Sequence, residues 1–226
     1  MAFPALVLFD IDGTLLWRSG PHHRQVLEDA VRHVLKLETT TEGIPLHGML
    51  DPDILTAMLR RAGVSPKRIR RALPAIMARA QALYVRRCPD LRARTCPGVR
   101  AVLRRLHRHA LIGLVTGNLP RIGWKKMERA GLDHHFRYGA FAGMAPDRAG
   151  LARLAIRQAR RERWITRDAR VSLIGDSPSD IQAARANGIR AVAVHTGIST
   201  AEELAALGPD LLVPTLRELP LETLLA

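Results

Sequence analysis

The spacing of apolar positions changes character three times along the chain. Residues 5–9 form a short continuous apolar run, which suits a strand buried on both faces of a parallel sheet. Asp10 to Thr14 interrupt that run with polar residues and Gly13. From 21 to 37 the apolar residues Val26, Leu27, Ala30, Val31, Val34 and Leu35 recur at helical spacing, with Ser19 as the expected cap. Residues 51–62 repeat the pattern with Ile54, Leu55, Met58 and Leu59, and Gly63 stops it. Ser65-Pro66 opens a third helix running toward residue 87, which Pro74 is expected to kink or split. No strand is expected between residues 15 and 95.

Beyond Cys96-Pro97-Gly98 strands and helices alternate. Strands are expected at 111–115, 138–141, 171–174, 190–194 and 211–213. Helices are expected at 99–109, 120–130, 147–163, 178–186 and 201–207, with Gly131 and Gly188 as stops. This rhythm predicts right-handed βαβ units and an α/β fold, a Rossmann-like parallel sheet with helices on both faces. The first strand joins the same sheet. The expected organisation is therefore a core domain of residues 1–14 plus 96–226, carrying an inserted helical domain of residues 15–95.

Composition narrows the class without naming a function. The chain has 226 residues, 47% apolar and 25% charged, enough for a well-buried globular core. No apolar run reaches the length of a bilayer span, and the first nine residues lack a basic leader pattern, so a cytoplasmic protein without a membrane partner is expected. Cys88 and Cys96 lack the spacing of a disulfide framework or zinc site and are expected to be reduced thiols. The net charge of +14 is almost all arginine; lysine occurs at Lys36, Lys67, Lys125 and Lys126. A solvated basic surface is expected, one that also draws in anionic substrates. A nucleic-acid partner fits the charge but not the absence of interleaved aromatic residues.

Three polar clusters each follow an apolar strand, where open parallel sheets bind ligands. They are Asp10-Ile11-Asp12-Gly13-Thr14, Thr116-Gly117-Asn118 and Gly175-Asp176-Ser177-Pro178-Ser179-Asp180. Asp10 and Asp12, two apart on extended backbone, face one side and repel each other unless a cation or proton intervenes. Asp176 adds a third carboxylate. Hard oxygens without histidine or thiol suit magnesium. Asp180, one turn into a helix, is placed to hold a metal-bound water or a basic residue. A hydroxyl and backbone N–H groups before a helix make Thr116-Gly117-Asn118 an anion site. Arg148, at the start of the 147–163 helix, is the best placed cation; Arg121, Lys125 and Lys126 are the alternatives. The helices that begin just after the first cluster can close over it as a lid. His47 and Met49 are candidates to line the pocket beneath that lid, and Trp17 is expected to pack at the hinge. Cap arginines such as Arg60, Arg61, Arg68, Arg70 and Arg71 are expected in solvent.

This set resembles the haloacid dehalogenase superfamily, and within it the phosphoglycolate-phosphatase-like branch with a helical cap. Phe9-Asp10-Ile11-Asp12-Gly13-Thr14-Leu15 is similar to the family's DxDGT motif, Thr116-Gly117-Asn118 to its second motif and Gly175–Asp180 to its acidic GDxxxD motif. The resemblance implies a magnesium-dependent phosphatase acting on a small phosphorylated metabolite, as a monomer or homodimer. Asp10 is then the nucleophile that becomes an aspartyl-phosphate. Asp12 is the acid and base. Magnesium is held by Asp10, the Asp12 carbonyl and Asp176, with Asp180 behind. Gly13, Thr14, Thr116, Gly117, Asn118 and Arg148 surround the phosphoryl group. The family's third motif is usually lysine, and Arg148 stands in that region here. A dehalogenase of the same fold does not use the second aspartate, so Asp12 argues against one. A sugar-phosphate mutase shares all these motifs and stays an alternative, and a nucleic-acid end-phosphatase is a further one.

Overall fold

A computed structural model describes residues 2–17 and 21–225; Ser19 lies outside the described residues. The chain begins with β1 (Phe3–Phe9) and then three helices, α1 (His22–Leu35), α2 (Asp51–Arg61) and α3 (Pro66–Arg87). Alternation follows: α4 (Val99–Leu106), β2 (Leu111–Thr116), α5 (Pro120–Ala130), β3 (Tyr138–Phe141), α6 (Arg148–Arg161), β4 (Ile165–Gly175), α7 (Pro178–Ala186), β5 (Arg190–Val194), α8 (Ala201–Ala206) and β6 (Leu211–Val213). A last short helix, α9 (Glu222–Leu225), closes the described chain.

The six strands form one parallel sheet in the order β3-β2-β1-β4-β5-β6. β1 sits in the middle, with Leu8 in register with Gly113 on one side and Leu173 on the other. The chain runs outward from β1 through β2 and β3, then returns to β4 and runs the other way, so strand order reverses beside β1. Alternate residues of β1 feed different layers, as a period of two requires. Ala5, Val7 and Phe9 pack with α4 and α5, while Leu6 and Leu8 pack with α6 and α7. Val26 and Leu27 of α1, Leu55 of α2 and Tyr84 of α3 join the first of these layers. The inserted helices therefore rest on the same apolar cluster as one face of the sheet. Their entry and exit run side by side: Trp17 N–H donates to the Arg94 carbonyl at 2.8 Å, and Cys96 N–H to the Leu15 carbonyl at 2.9 Å.

The observed elements differ from expectation in three places. α3 runs unbroken through Pro74, because Pro74 and Arg70, whose carbonyl loses its partner, both lie on the exposed face. α4 ends at Leu106 rather than 109. β4 begins at Ile165, well before the apolar run at 171. Its early residues Arg167, Asp168 and Arg170 are exposed; Ile165 pairs with Phe3 and Arg170 with Ala5, with a register shift between them. Among the described residues no helix is long and apolar enough to cross a membrane.

Candidate active site

All three polar clusters meet at the carboxyl ends of β1, β2 and β4. Asp10 directly follows β1, is buried, and its N–H donates to the Ile174 carbonyl of β4 at 3.0 Å. Gly13 turns the chain at φ 84°, and a Cβ there would lie 2.1 Å from Asp176 Oδ2. Only glycine lets this turn pass so close to that carboxylate. Thr14 Oγ1 donates to Asp176 Oδ1 at 3.2 Å. Thr116 ends β2; its buried hydroxyl oxygen accepts from Asn118 N–H at 3.3 Å and from Asn118 Nδ2 at 3.1 Å. Asp180, in the first turn of α7, accepts through Oδ2 from Ser177 N–H at 3.1 Å and Ser177 Oγ at 2.6 Å, a reciprocal helix cap.

Arg148 is the first residue of α6, and Asp147 caps that helix by accepting from Gly150 N–H at 2.6 Å. The buried guanidinium donates through Nη1 to Asp180 Oδ1 at 2.7 Å and stands 3.1 Å from Asp10 Oδ1. The expected cation is therefore beside the expected nucleophile. Burial works against its charge, but Asp10 and Asp180 outweigh burial and hold its pKa above the ordinary value.

The site holds a second buried cation. Lys126 is fully buried, with Nζ 2.5 Å from Asp12 Oδ2 and 3.2 Å from His23 Nδ1. Asn118 Nδ2 donates to the same Asp12 oxygen at 2.8 Å. Burial raises the Asp12 pKa, but Lys126 and then His23 drive it well below the usual carboxylate range. Asp10 moves the other way. Burial, helped by Asp180 and Asp12, outweighs Arg148 and raises it to about 6. Asp176 and Asp180 are also raised, burial again being the main cause.

Besides His23, the inserted segment reaches into this site with His47 and Asp51. His47 Nε2 lies 2.9 Å from Asp176 Oδ2, and its Nδ1 lies 3.3 Å from Ser199 Oγ. Asp51 at the start of α2 is buried; its Oδ2 accepts from Leu119 N–H at 2.7 Å, its N–H donates to the Gly117 carbonyl at 2.8 Å, and His23 Nε2 is 3.1 Å from its Oδ1. Asp51 thus fastens α2 to the loop after β2. Trp17 spans the hinge through its backbone, and its side chain is 46% exposed at the mouth of the cleft. Arg60, Arg61, Arg68, Arg70 and Arg71 are exposed, as expected.

Asp10, Asp176 and Asp180 each present a carboxylate oxygen within 4.8 Å of the others. Asp10 Oδ1 is buried without a hydrogen bond, as are Asn118 Oδ1 and Arg148 Nε. Mutually repelling hard oxygens fit a divalent cation such as magnesium, and an unused guanidinium donor beside them fits an oxyanion. The carboxylates of Asp12 and Asp180 are already committed, to Lys126 and Asn118 in one case and to Arg148 and Ser177 in the other. Lys126 carried a readable signal: Ile122, Lys126 and Ala130 share one face of α5 and all are buried. Nothing in the spacing of residues marked Asp51 as a fastener.

A buried aspartate at the end of the central strand of an α/β fold thus faces a guanidinium and two further carboxylates. The chain belongs to the haloacid dehalogenase-like hydrolase family, whose match spans residues 7–185. No curated protein matches it in sequence. Solved structures share the fold at low identity. CbbY from Rhodobacter sphaeroides, in complex with xylulose-(1,5)bisphosphate, is 20% identical with a TM-score of 0.74, covering 97% of this chain and 98% of that one. A β-phosphoglucomutase from Clostridium difficile is 17% identical, TM-score 0.69, covering 98% and 95%. A predicted phosphoglycolate phosphatase from Haemophilus somnus 129pt is 18% identical, TM-score 0.65, covering 93% and 94%.

Proposed function

We propose that the protein is a magnesium-dependent phosphatase of the cytoplasm that hydrolyses a phosphate monoester of a small metabolite through a phospho-aspartate on Asp10. The observation that carries this reading is the Asp10 carboxylate, buried, lacking a hydrogen bond at Oδ1, and 3.1 Å from the Arg148 guanidinium. An Asp10 oxygen attacks phosphorus, and the bond from phosphorus to the alcohol oxygen breaks. Asp12 protonates that oxygen. Water then attacks the aspartyl-phosphate, gives its proton to Asp12 and releases inorganic phosphate. Arg148, held from behind by Asp180, balances charge on the phosphoryl oxygens. Thr116, Gly117, Asn118, Gly13 and Thr14 shape the rest of the phosphoryl cradle. Asp10, Asp176 and the Asp12 carbonyl are the residues to hold magnesium, which when bound offsets the negative charge of carboxylates and phosphate.

Lys126 refines the part of Asp12. The ion pair favours the carboxylate, the form that takes a proton from water. To protonate a leaving group, Asp12 must first break from Lys126. Residues 15–95 are the cap in this reading, attached through the paired linkers at 15–17 and 94–96. Rapid acid quench of the protein with p-nitrophenyl phosphate and magnesium, followed by mass mapping, tests the mechanism; phosphate on Asp10 is the expected result, and phosphate on another residue refutes it. A sugar-phosphate mutase is the second reading, favoured by the β-phosphoglucomutase of similar fold. A mutase hands the phosphoryl group to a sugar hydroxyl instead of water, and a requirement for a sugar bisphosphate in the assay distinguishes it.

A further inference from the structure

The cleft between floor and inserted helices has a volume of about 750 Å³, within the range of small-molecule sites. Its two walls differ in chemistry. The floor carries the aspartates, Asn118 and Arg148. The remaining lining, available to the part of a substrate beyond its phosphate, mixes apolar Trp17, Leu27, Leu46, Met49, Ile54 and Ile198 with His23, Arg24, His47 and Asp51. Trp17 is 46% exposed and Ile198 75% exposed. Of the four exposed large hydrophobic residues described in the whole molecule, these two stand at the mouth of this cleft. Exposed apolar side chains gathered at one concave place mark a binding surface.

The polar groups on this wall are mostly committed. His23 lies between Asp51 and Lys126. Asp51 accepts from Leu119 N–H and holds His23. His47 spans Asp176 and Ser199. Arg24, at the exposed rim, is the remaining polar lining residue of the inserted helices among the described residues. Among the described residues, a sugar or polyol entering here finds few uncommitted donors or acceptors for its hydroxyls, and hydroxyls buried without partners weaken binding. A short hydroxy acid finds its cation at the rim rather than beside the phosphate.

We infer that the preferred substrate is a phosphate monoester of a compact apolar alcohol, aromatic or branched aliphatic, rather than of a sugar or a hydroxy acid. This rests on the phosphatase reading and specifies its substrate class. The apolar alcohol part covers Met49, Leu46 and Ile198, and desolvating them drives binding.

The test compares kcat/KM of the purified full chain with magnesium across primary-alcohol esters, so that leaving groups are of one type. The probes are 2-phenylethyl phosphate, 3-methylbutyl phosphate, glucose 6-phosphate and phosphoglycolate, with p-nitrophenyl phosphate as the activity control. The two apolar esters are expected to exceed the other two by about 10-fold or more, the scale at which apolar pockets discriminate. Ile198→Ser and Trp17→Ala, both at exposed positions, are expected to cut the ratio of 2-phenylethyl phosphate to glucose 6-phosphate about 10-fold, mainly through KM. Turnover of p-nitrophenyl phosphate with a preference for glucose 6-phosphate or phosphoglycolate overturns this inference alone. So does a ratio that neither variant moves. No turnover of any ester, the control included, overturns both this inference and the reading beneath it.

Discussion

The two ends of the sheet carry opposite charge in opposite surroundings. At the carboxyl ends of the strands, Asp10, Asp176 and Asp180 are buried together with Arg148, and Lys126 is buried against Asp12. At the other end, Arg153, Arg157, Arg160, Arg170 and Arg190 line an open groove of about 610 Å³. One helix serves both. α6 starts with Arg148 in the active site and turns Arg153, Arg157 and Arg160 outward to solvent. A charge in the interior interacts strongly with its neighbours, while one in water is screened to a fraction of that. The net charge of +14 therefore says little about chemistry. Placement decides which arginine matters.

The largest expected effect is at the floor. Asp10→Asn removes the nucleophile and should lower turnover of p-nitrophenyl phosphate on the order of 10⁴–10⁶-fold, as loss of a nucleophile does elsewhere. Circular dichroism should show an unchanged fold. Near wild-type rates from this variant would end the assignment.

Arginine against arginine is the sharper comparison. Arg148→Ala should reduce kcat about 10²–10³-fold, the usual loss of a charge-stabilising donor. Arg148→Lys should recover part of the rate, since the charge beside Asp10 and Asp180 is kept and the further guanidinium donors, Nε among them, are lost. Arg157→Gln, about two and a half turns along the same helix and on its opposite, exposed face, should change kcat by less than about 2-fold, as expected of a solvated surface charge. Comparable losses from Arg148 and Arg157 variants would remove the distinction between the two ends.

Magnesium and pH probe the floor more gently. The Asp10 pKa of about 6 lies above the ordinary carboxylate value of 3.8, so in the metal-free protein the folded state holds the extra proton between those values. The stability from this group is complete below about pH 4 and is lost as pH rises through 6. Thermal melts in chelator should therefore fall from pH 5 to pH 7. Added magnesium should raise Tm more at pH 7 than at pH 5, because it replaces the proton as the neutralising charge. Equal Tm with and without magnesium at pH 7 would speak against a metal at this cluster.

How much of this was legible in the sequence depends on the kind of force involved. The strands around 5–9, 111–115 and 190–194 are visible because burial on both faces leaves continuous apolar runs. The first half of β4 is not, because exposed Arg167, Asp168 and Arg170 break up its apolar positions and a register shift interrupts its pairing with β1. Asp10, Asp176 and Asp180 were legible as polar residues placed directly after buried strands, and Arg148 as a cation opening a helix in the same chain order. Lys126 was visible only as an alternative, although a lysine on the buried face of α5 demands a partner. The grip of Asp51 on Leu119 and of His47 on Asp176 joins residues far apart in the chain, and no local spacing encodes such contacts. Of the apolar lining, Met49 was legible as a pocket candidate, while its meeting with Trp17 and Ile198 was not, because the three come from separate segments.

The smallest expected effect lies at the other end of the sheet and runs in the opposite direction. His135 sits just before β3 with its Nδ1 buried and without a hydrogen bond. Burial, reinforced by His134, His107, Arg100 and Arg104, lowers its pKa from 6.5 to about 4. The folded state therefore prefers neutral imidazole, while the unfolded chain takes up a proton below about pH 6.5. The stability linked to this group is whole above pH 6.5 and is lost as pH falls toward 4. Cations gather at this end, so each proton added there meets repulsion, just as each proton removed from Asp10 does at the floor. His135→Gln removes the titrating group while keeping a polar side chain. Relative to wild type, this variant in chelator should gain about 1–2 °C in Tm as pH falls from 6.5 to 5, for a chain of this size, beside the Asp10 trend that both proteins share. Turnover at pH 7.5 should stay within about 2-fold of wild type, since His135 is remote from the cleft. A steeper acid loss in the variant than in the wild type would mean that His135 is charged in the folded protein, and that the cation-rich end is held together by a partner for it rather than strained by its protonation.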